Sequence, residues 1–86
     1  MQNHVNHLVL SVVRFATSQI ATADSVALCV CWEFYARGQL SMALAFDRCT
    51  PAEQLAAESS VKLAVQSRQS ALIGREAMAR HERAVA

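Results

Sequence analysis

Turn-forming residues are scarce in this sequence, whose 86 residues include two glycines and one proline. β-Hairpins and β-sandwiches need such residues every ~8–12 positions, so their scarcity argues against an all-β fold. Charged residues are also few, at 17%, while 53% of the residues are hydrophobic, and this combination excludes intrinsic disorder. The formal net charge of +1 provides no strong overall field for nucleic acid or for a membrane surface.

Targeting signals and a disulfide framework are lacking as well. Residues 1–7 contain no lysine or arginine and show no cleavage pattern, so the sequence indicates no secretory signal. The most apolar stretch, 26–46, contains Glu33 and Arg37, and each charge would cost ~2.5–3.5 kcal/mol at the centre of a bilayer. Three cysteines, an odd number, do not describe a disulfide framework. We therefore expect a cytoplasmic protein without a membrane span.

Apolar residues recur with the period of an α-helix, which predicts a single all-α domain over residues 1–86. We expect helices at about 4–20, 24–48 and 51–83. The second segment is apolar enough for a strand, but its unbroken run of about 25 residues is too long for one. The apolar arc of the first helix comprises Val5, Leu8, Val9, Val12, Val13, Phe15, Ala16 and Ile20.

Capping residues mark where the later helices begin. Thr22 and Asp24 are candidate N-caps for the second helix, because their side-chain oxygens can accept backbone N–H groups. Thr50, Pro51 and Glu53 fit the N-cap, first and third positions of the third helix, which is the pattern of a capping box. Within the second helix, Gly38 marks a kink or a close helix crossing.

The third helix carries two apolar arcs rather than one, so it is expected to be covered on two sides. Its predicted length of over 30 residues, ~45–50 Å, would also outrun the other two helices. A second copy of the chain would resolve both problems, and the sequence therefore predicts a homo-oligomer. One arc comprises Ala57, Val61, Ala64, Val65, Ala71, Leu72 and Ala79, and the other Ala52, Leu55, Ala56, Leu63, Ile73 and Ala77.

Cysteine and histidine spacings do not match a metal site. On a helix Cys29 and Cys31 point about 200° apart, so they cannot share an ion, and Cys49 follows far along the chain. We interpret all three as small hydrophobic residues. His4 and His7 can share one helical face, but no acid or cysteine completes a ligand set. No metal, cofactor or cofactor-binding residue is predicted.

Glu33 is the one acid in the apolar part of the second helix, and it requires a cation nearby. Arg37, one turn later, is one candidate, and Arg68 on the third helix is the candidate for a buried ion pair. Arg68 and Arg75 lie seven residues apart inside an apolar arc, as interface anchors or arginines with buried stems do. No nucleophile motif or phosphate-binding loop is present, so no catalytic residue is predicted and an enzyme is not expected.

Large apolar side chains form a stripe along the second helix, and at an oligomer interface they would act as anchors. The stripe consists of Leu28, Trp32, Tyr35, Gln39, Met42 and Phe46. The predicted interface residues are Trp32, Tyr35, Met42, Phe46, Arg68, Leu72 and Arg75.

Four segments resemble the helical core of phage terminase small subunits, and the likeness covers about 60 residues. They are Asp24-Ser25-Val26-Ala27-Leu28, Glu33-Phe34-Tyr35-Ala36-Arg37, Val61-Lys62-Leu63-Ala64 and Arg75-Glu76-Ala77-Met78-Ala79-Arg80. The resemblance implies a ring-forming protein of phage or mobile-element origin that recognises DNA and modulates a large subunit. The chain departs from the family in its short length and in lacking a separate DNA-binding segment.

The sequence therefore predicts a non-catalytic, homo-oligomeric helical protein that occludes or bridges another protein, as inhibitors and adaptors do. The alternative is a nucleic-acid-associated protein, terminase-like or a small regulator, that uses the basic C-terminal helix. Residues 62–86 hold five basic and two acidic residues, a mild excess beside the dense basic clusters of nucleic-acid-binding proteins.

Overall fold

A computed structural model describes residues 5–85, and these form three α-helices without any strand. Helix α1 spans His7–Ala21, α2 spans Val26–Ala45 and α3 spans Pro51–Val85. The predicted all-α fold with a long C-terminal helix is confirmed. The helices run antiparallel in chain order and every pair is in contact, with overall extents of 61 × 25 × 16 Å. The domain is thus long and thin.

The α1–α2 turn corrects the predicted start of the second helix. Ser25, rather than Thr22 or Asp24, is the N-cap, because its extended backbone lets Ser25 Oγ accept from the Leu28 N–H at 3.2 Å. Thr22 instead ends α1, where the Thr22 N–H donates to the Gln19 carbonyl at 3.3 Å and the Ala23 N–H donates to the Ile20 carbonyl at 3.1 Å. Helix α2 consequently begins at Val26, two residues later than predicted.

The predicted capping box at the start of α3 is confirmed. The Glu53 N–H donates to Thr50 Oγ1 at 3.1 Å, and the Thr50 N–H donates to Glu53 Oε1 at 2.8 Å. That second bond is the main reason that the pKa of Glu53 is lowered from its ordinary value of 4.5. The carboxylate therefore stabilises the cap above the unfolded-state pKa, and its contribution is lost as the pH falls through the lowered one.

Helix α2 ends at Ala45, earlier than the predicted residue 48, with Phe46 as its C-cap and a left-handed residue after the cap. Asp47 has a φ of 57°, which terminates the helical backbone. The Arg48 N–H then donates to the Ala43 carbonyl at 2.7 Å and the Asp47 N–H to that of Leu44 at 3.1 Å. These two bonds form a Schellman motif, in which glycine is the usual left-handed residue.

Small residues dominate the interior. No aromatic side chain is buried among residues 5–85; the buried hydrophobic residues are Val9, Ala16, Ile20, Ala23, Cys29, Ala36, Leu40, Ala43, Cys49, Ala57, Val61 and Val65. Because alanine and cysteine let backbones approach closely, the three helices leave little room between them for larger groups.

The two predicted apolar arcs of α3 have different surroundings. Ala57, Val61 and Val65 of the first arc are buried, and Leu72 packs against the same cluster. The whole second arc is exposed, so one side of α3 has no cover within this chain. From Ile73 to Val85 every residue except Ala79 is exposed, so the end of α3 projects beyond the other helices.

The Thr50→Ala substitution is expected to lower the free energy of unfolding by about 1 kcal/mol, because it removes one half of the capping box. Chemical denaturation followed by circular dichroism measures the change. Ser59→Ala, on the exposed side of the same helix, is the matched control and should be nearly neutral. Equal stability of the two variants would contradict the cap.

The Asp47→Gly substitution is expected to raise the free energy of unfolding by up to about 1 kcal/mol, because glycine adopts the left-handed conformation without steric cost. Asp47→Ala should not stabilise the protein, since alanine keeps the Cβ that clashes there. Denaturation midpoints compare the two variants. A destabilising Asp47→Gly would mean that the aspartate side chain contributes more than the backbone conformation costs.

Candidate interaction surface

The large apolar side chains lie on the outside of the domain, concentrated on one side of α1 and α2. Met42 and Phe46 are 57% and 69% exposed, and Tyr35 is 42% exposed. We call this surface the α1–α2 face; it comprises Leu8, Phe15, Leu28, Trp32, Tyr35, Gln39, Met42 and Phe46. The predicted stripe of α2 therefore lies together on a solvent-exposed surface.

Three aromatic rings contact one another in the part of this face that is nearer to the α1–α2 turn. The Phe15 and Trp32 ring centroids are 5.6 Å apart, those of Phe15 and Tyr35 5.8 Å, and those of Trp32 and Tyr35 5.6 Å. Trp32 is half-buried and packs against the interior cluster, which anchors the other two rings. The Phe15–Trp32 and Trp32–Tyr35 contacts are edge-on and the third is tilted, and aromatic pairs in such geometries attract each other, so the three rings support one another on the surface of the single chain.

The other part of the face, near the start of α1 and the end of α2, forms a shallow open depression between the two helices. Leu8 and Val12 contribute from α1, and Gln39, Met42 and Phe46 contribute from α2. At its margin, Asn6 Nδ2 donates to the Arg48 carbonyl at 2.8 Å, which ties the start of α1 to the end of the α2–α3 turn. The depression is thus bordered at one end by a hydrogen bond from a side chain to the main chain, and it is open to solvent.

Leu8 and Phe15 were predicted only as members of the apolar arc of the first helix, and they belong to this face instead. Phe15 is 47% exposed, whereas its neighbour Ala16 is completely buried. Helical periodicity identified the apolar side of α1, but the small interior covers only the centre of that arc. The signal for their placement is position, since at 100° per residue Leu8 and Phe15 lie at one edge of the arc, whereas the buried Ala16 lies near its centre.

A second apolar surface lies on the side of α3 that points away from the other helices. Leu55 and Leu63 are each 66% exposed, and Ile73 is 59% exposed. We call it the α3 outer face; its other members are Ala52, Ala56 and Ala77. Ser59 and Gln66 interrupt it, so this face is more polar than the α1–α2 face.

The structure corrects the predicted ion pair between Glu33 and Arg68, which is not formed within this chain. Arg68 Nε donates to the Ala23 carbonyl at 2.9 Å and so fixes the α1–α2 turn against α3. Glu33 lies nearer the start of α3, in a depression that Lys62 also lines. The other candidate cation for Glu33, Arg37, instead pairs with Glu58, with Arg37 Nε 3.7 Å from Glu58 Oε1.

The remaining predicted interface residues do not join the α1–α2 face. Arg68 is half-buried and Leu72 packs against the interior, so both serve the fold of the single chain. Arg75 is exposed and lines an open groove with Asp24 and Glu76. The structure therefore brings together Trp32, Tyr35, Met42 and Phe46, but not the two arginines or Leu72.

The cysteines are separated in the fold. Cys29 and Cys49 are buried, as expected of small hydrophobic residues, whereas Cys31 is exposed. Burial raises the pKa of the Cys49 thiol, and the nearby Glu53 carboxylate adds to this effect. His7 is exposed, and His4 lies outside the described residues. Within residues 5–85 no group of three or more histidine, cysteine and acidic residues is close enough together to hold a metal ion.

Comparisons with models of protein families, with curated proteins and with solved structures found no match to the chain. Over the described part of the chain, no helix combines the length and the apolar character that crossing a membrane requires.

The Arg68→Ala substitution is expected to lower the free energy of unfolding by about 1–2 kcal/mol, because it removes a charge-assisted bond to the Ala23 carbonyl. Arg75→Ala, which removes an exposed arginine from the same helix, is the control and should change it by less than about 0.5 kcal/mol. Glu33→Gln should resemble the control. Thermal denaturation compares the variants. A strong destabilisation by Glu33→Gln would show that Glu33 does form an ion pair with Arg68.

Proposed function

We propose that this chain is a non-catalytic interaction protein that works as a homo-oligomer and regulates another protein by occluding or bridging it. The observation that carries the proposal is the exposure of six large apolar side chains on the α1–α2 face, each between 42% and 69%. They are Leu8, Phe15, Leu28, Tyr35, Met42 and Phe46.

The extent of this face supports a binding role. At ~200 Å² for each side chain, these exposures add up to roughly 600 Å² per copy. The largest apolar patch of a typical monomer covers ~300–600 Å² and is often functional. A standard interface buries ~800 Å² per partner, which the half-buried Trp32 and the neighbouring small residues bring within reach.

Self-association through the α1–α2 face would leave the α3 outer face available. The two surfaces lie on different sides of the domain, since Leu55, Leu63 and Ile73 point away from α1 and α2. The α3 outer face includes Ser59 and Gln66 between its apolar residues, a mixture typical of surfaces that are exposed part of the time. An oligomer with such a face on each copy could bridge two molecules of a partner.

The nucleic-acid alternative, including a terminase-like role, has less support from the charges of α3. In the projecting part of this helix Arg80 is 3.5 Å from Glu76, one turn away, so one of its basic groups is paired with an acid. Phosphate-binding surfaces carry an excess of unpaired basic groups. An enzyme is also disfavoured, because neither apolar surface contains converging polar groups that could carry out a reaction.

Light scattering at micromolar concentration should give a mass that is a multiple of the 9.4 kDa of one chain. Met42→Glu should shift this mass towards that of the monomer, because it would bury a charge in the interface. Leu63→Glu is the matched control, since it places the same charge on the α3 outer face, and it should leave the oligomer intact.

A monomeric wild-type protein would refute the proposal. A monomeric Leu63→Glu variant would show that the interface lies on α3 instead. Duplex DNA should not bind appreciably in low salt. A complex with DNA that weakens steeply as salt is added would favour the nucleic-acid alternative.

A further inference from the structure

We infer that the α1–α2 face binds the same face of a second copy, with the two α2 helices packed antiparallel about a two-fold axis near Gly38. This inference rests on the proposed homo-oligomer and specifies its geometry. The occupant of the face is thus a second copy of this chain, and the contact is self-complementary.

The spacing of the exposed residues on α2 is the first reason. Leu28, Trp32, Tyr35, Gln39, Met42 and Phe46 are separated by four, three, four, three and four residues. Alternation of three and four is the pattern by which two long helices pack side by side. We call these six residues the seam. Five of them are exposed and only Trp32 is half-buried, so an equally long helix with the same spacing is the natural partner of the seam.

Gly38 is the second reason. It lies in the middle of α2, where glycine costs ~0.8–1 kcal/mol relative to alanine. A Cβ built on Gly38 would meet no atom within 4 Å, so no close crossing inside this chain accounts for it. The neighbouring positions one heptad away, Cys31 and Ala45, are also small and exposed. These three small residues lie along one edge of the seam, where they let a second helix approach closely.

The absence of charge on the seam is the third reason. Gln39 is its one polar member, while Glu33 and Arg37 lie on the other side of α2, towards α3. A helix that packs along the seam therefore meets one charged group of this chain, Arg48 at the end of the depression. Because Arg48 is exposed, its guanidinium can stay in water, and the desolvation cost of a buried ion does not arise.

The order of side-chain sizes favours the antiparallel arrangement. With the two-fold near the centre of the seam, Leu28 faces the partner's Phe46 and Trp32 faces the partner's Met42, so each layer combines a larger with a smaller side chain. Tyr35 faces the partner's Gln39, whose side-chain carbonyl can accept from the phenol. A parallel pair would instead oppose identical residues in each layer, and in three of the six layers these are aromatic. Antiparallel helix dipoles are also favourable to each other.

Disulfide trapping tests this geometry with the exposed Cys31. In the antiparallel pair, Cys31 lies opposite position 45 of the partner, so the A45C variant should form a disulfide-linked dimer with oxidised glutathione. Cys31 and position 45 are 14 residues apart on one straight helix, about 20 Å, which excludes an intrachain disulfide. Non-reducing electrophoresis should show most of the A45C protein as dimer.

Two proteins with a single exposed thiol are the controls for the trapping. Wild type offers Cys31 alone, and C31S/A45C offers position 45 alone, while the buried Cys29 and Cys49 are common to all three proteins. In the antiparallel pair identical positions lie about 20 Å apart, beyond the ~7 Å limit for the Cα atoms of a disulfide, so neither control should be trapped.

The outcomes separate this inference from the proposed function. Efficient trapping of the controls at identical positions would show a parallel pair and overturn the inference. An oligomer in light scattering without trapping of A45C would overturn the inference and leave the proposed homo-oligomer standing. A monomer in light scattering would overturn both, and circular dichroism would verify that each variant is folded.

Discussion

Close contact between the three helices, made possible by small side chains, is the constraint on which the rest of the structure depends. Ala16, Ala36 and Cys29 are completely buried where α1, α2 and α3 meet. With alanine and cysteine at these contacts, the backbones come close and the interior is too narrow for rings. Phe15 and Phe46 must therefore remain outside, although aromatic residues are normally among the best at filling a core.

Small residues lie inside this domain and large apolar residues lie on its surface, and this arrangement links folding to association. A chain of 86 residues has a small interior to begin with, and here the larger apolar groups contribute little to it. The surface they form is ordered, because Trp32 reaches the interior and holds Phe15 and Tyr35 against it. In the proposed oligomer, binding would supply the burial that the single chain does not provide, and stability would depend on protein concentration.

The elements that could be predicted from sequence are those specified by nearby residues. Thr50 and Glu53 form a capping box because the two bonds depend only on residues three apart. Asp47 was missed, because a left-handed aspartate has no strong sequence signal. The contact of Arg68 with the Ala23 carbonyl was missed for another reason. Main-chain acceptors look alike in a sequence, so an arginine was assigned to a carboxylate instead.

The small interior also determines which sequence changes the chain can accept. At Ala16 and Ala36 any larger residue would force helices apart, so these inconspicuous positions should vary least over evolution. The aromatic positions are under a different kind of selection, since Phe46 can change without disturbing the interior. Among homologues of this chain, the buried alanines would therefore stay the same wherever the fold is kept, and the large surface residues would change when the binding partner changes.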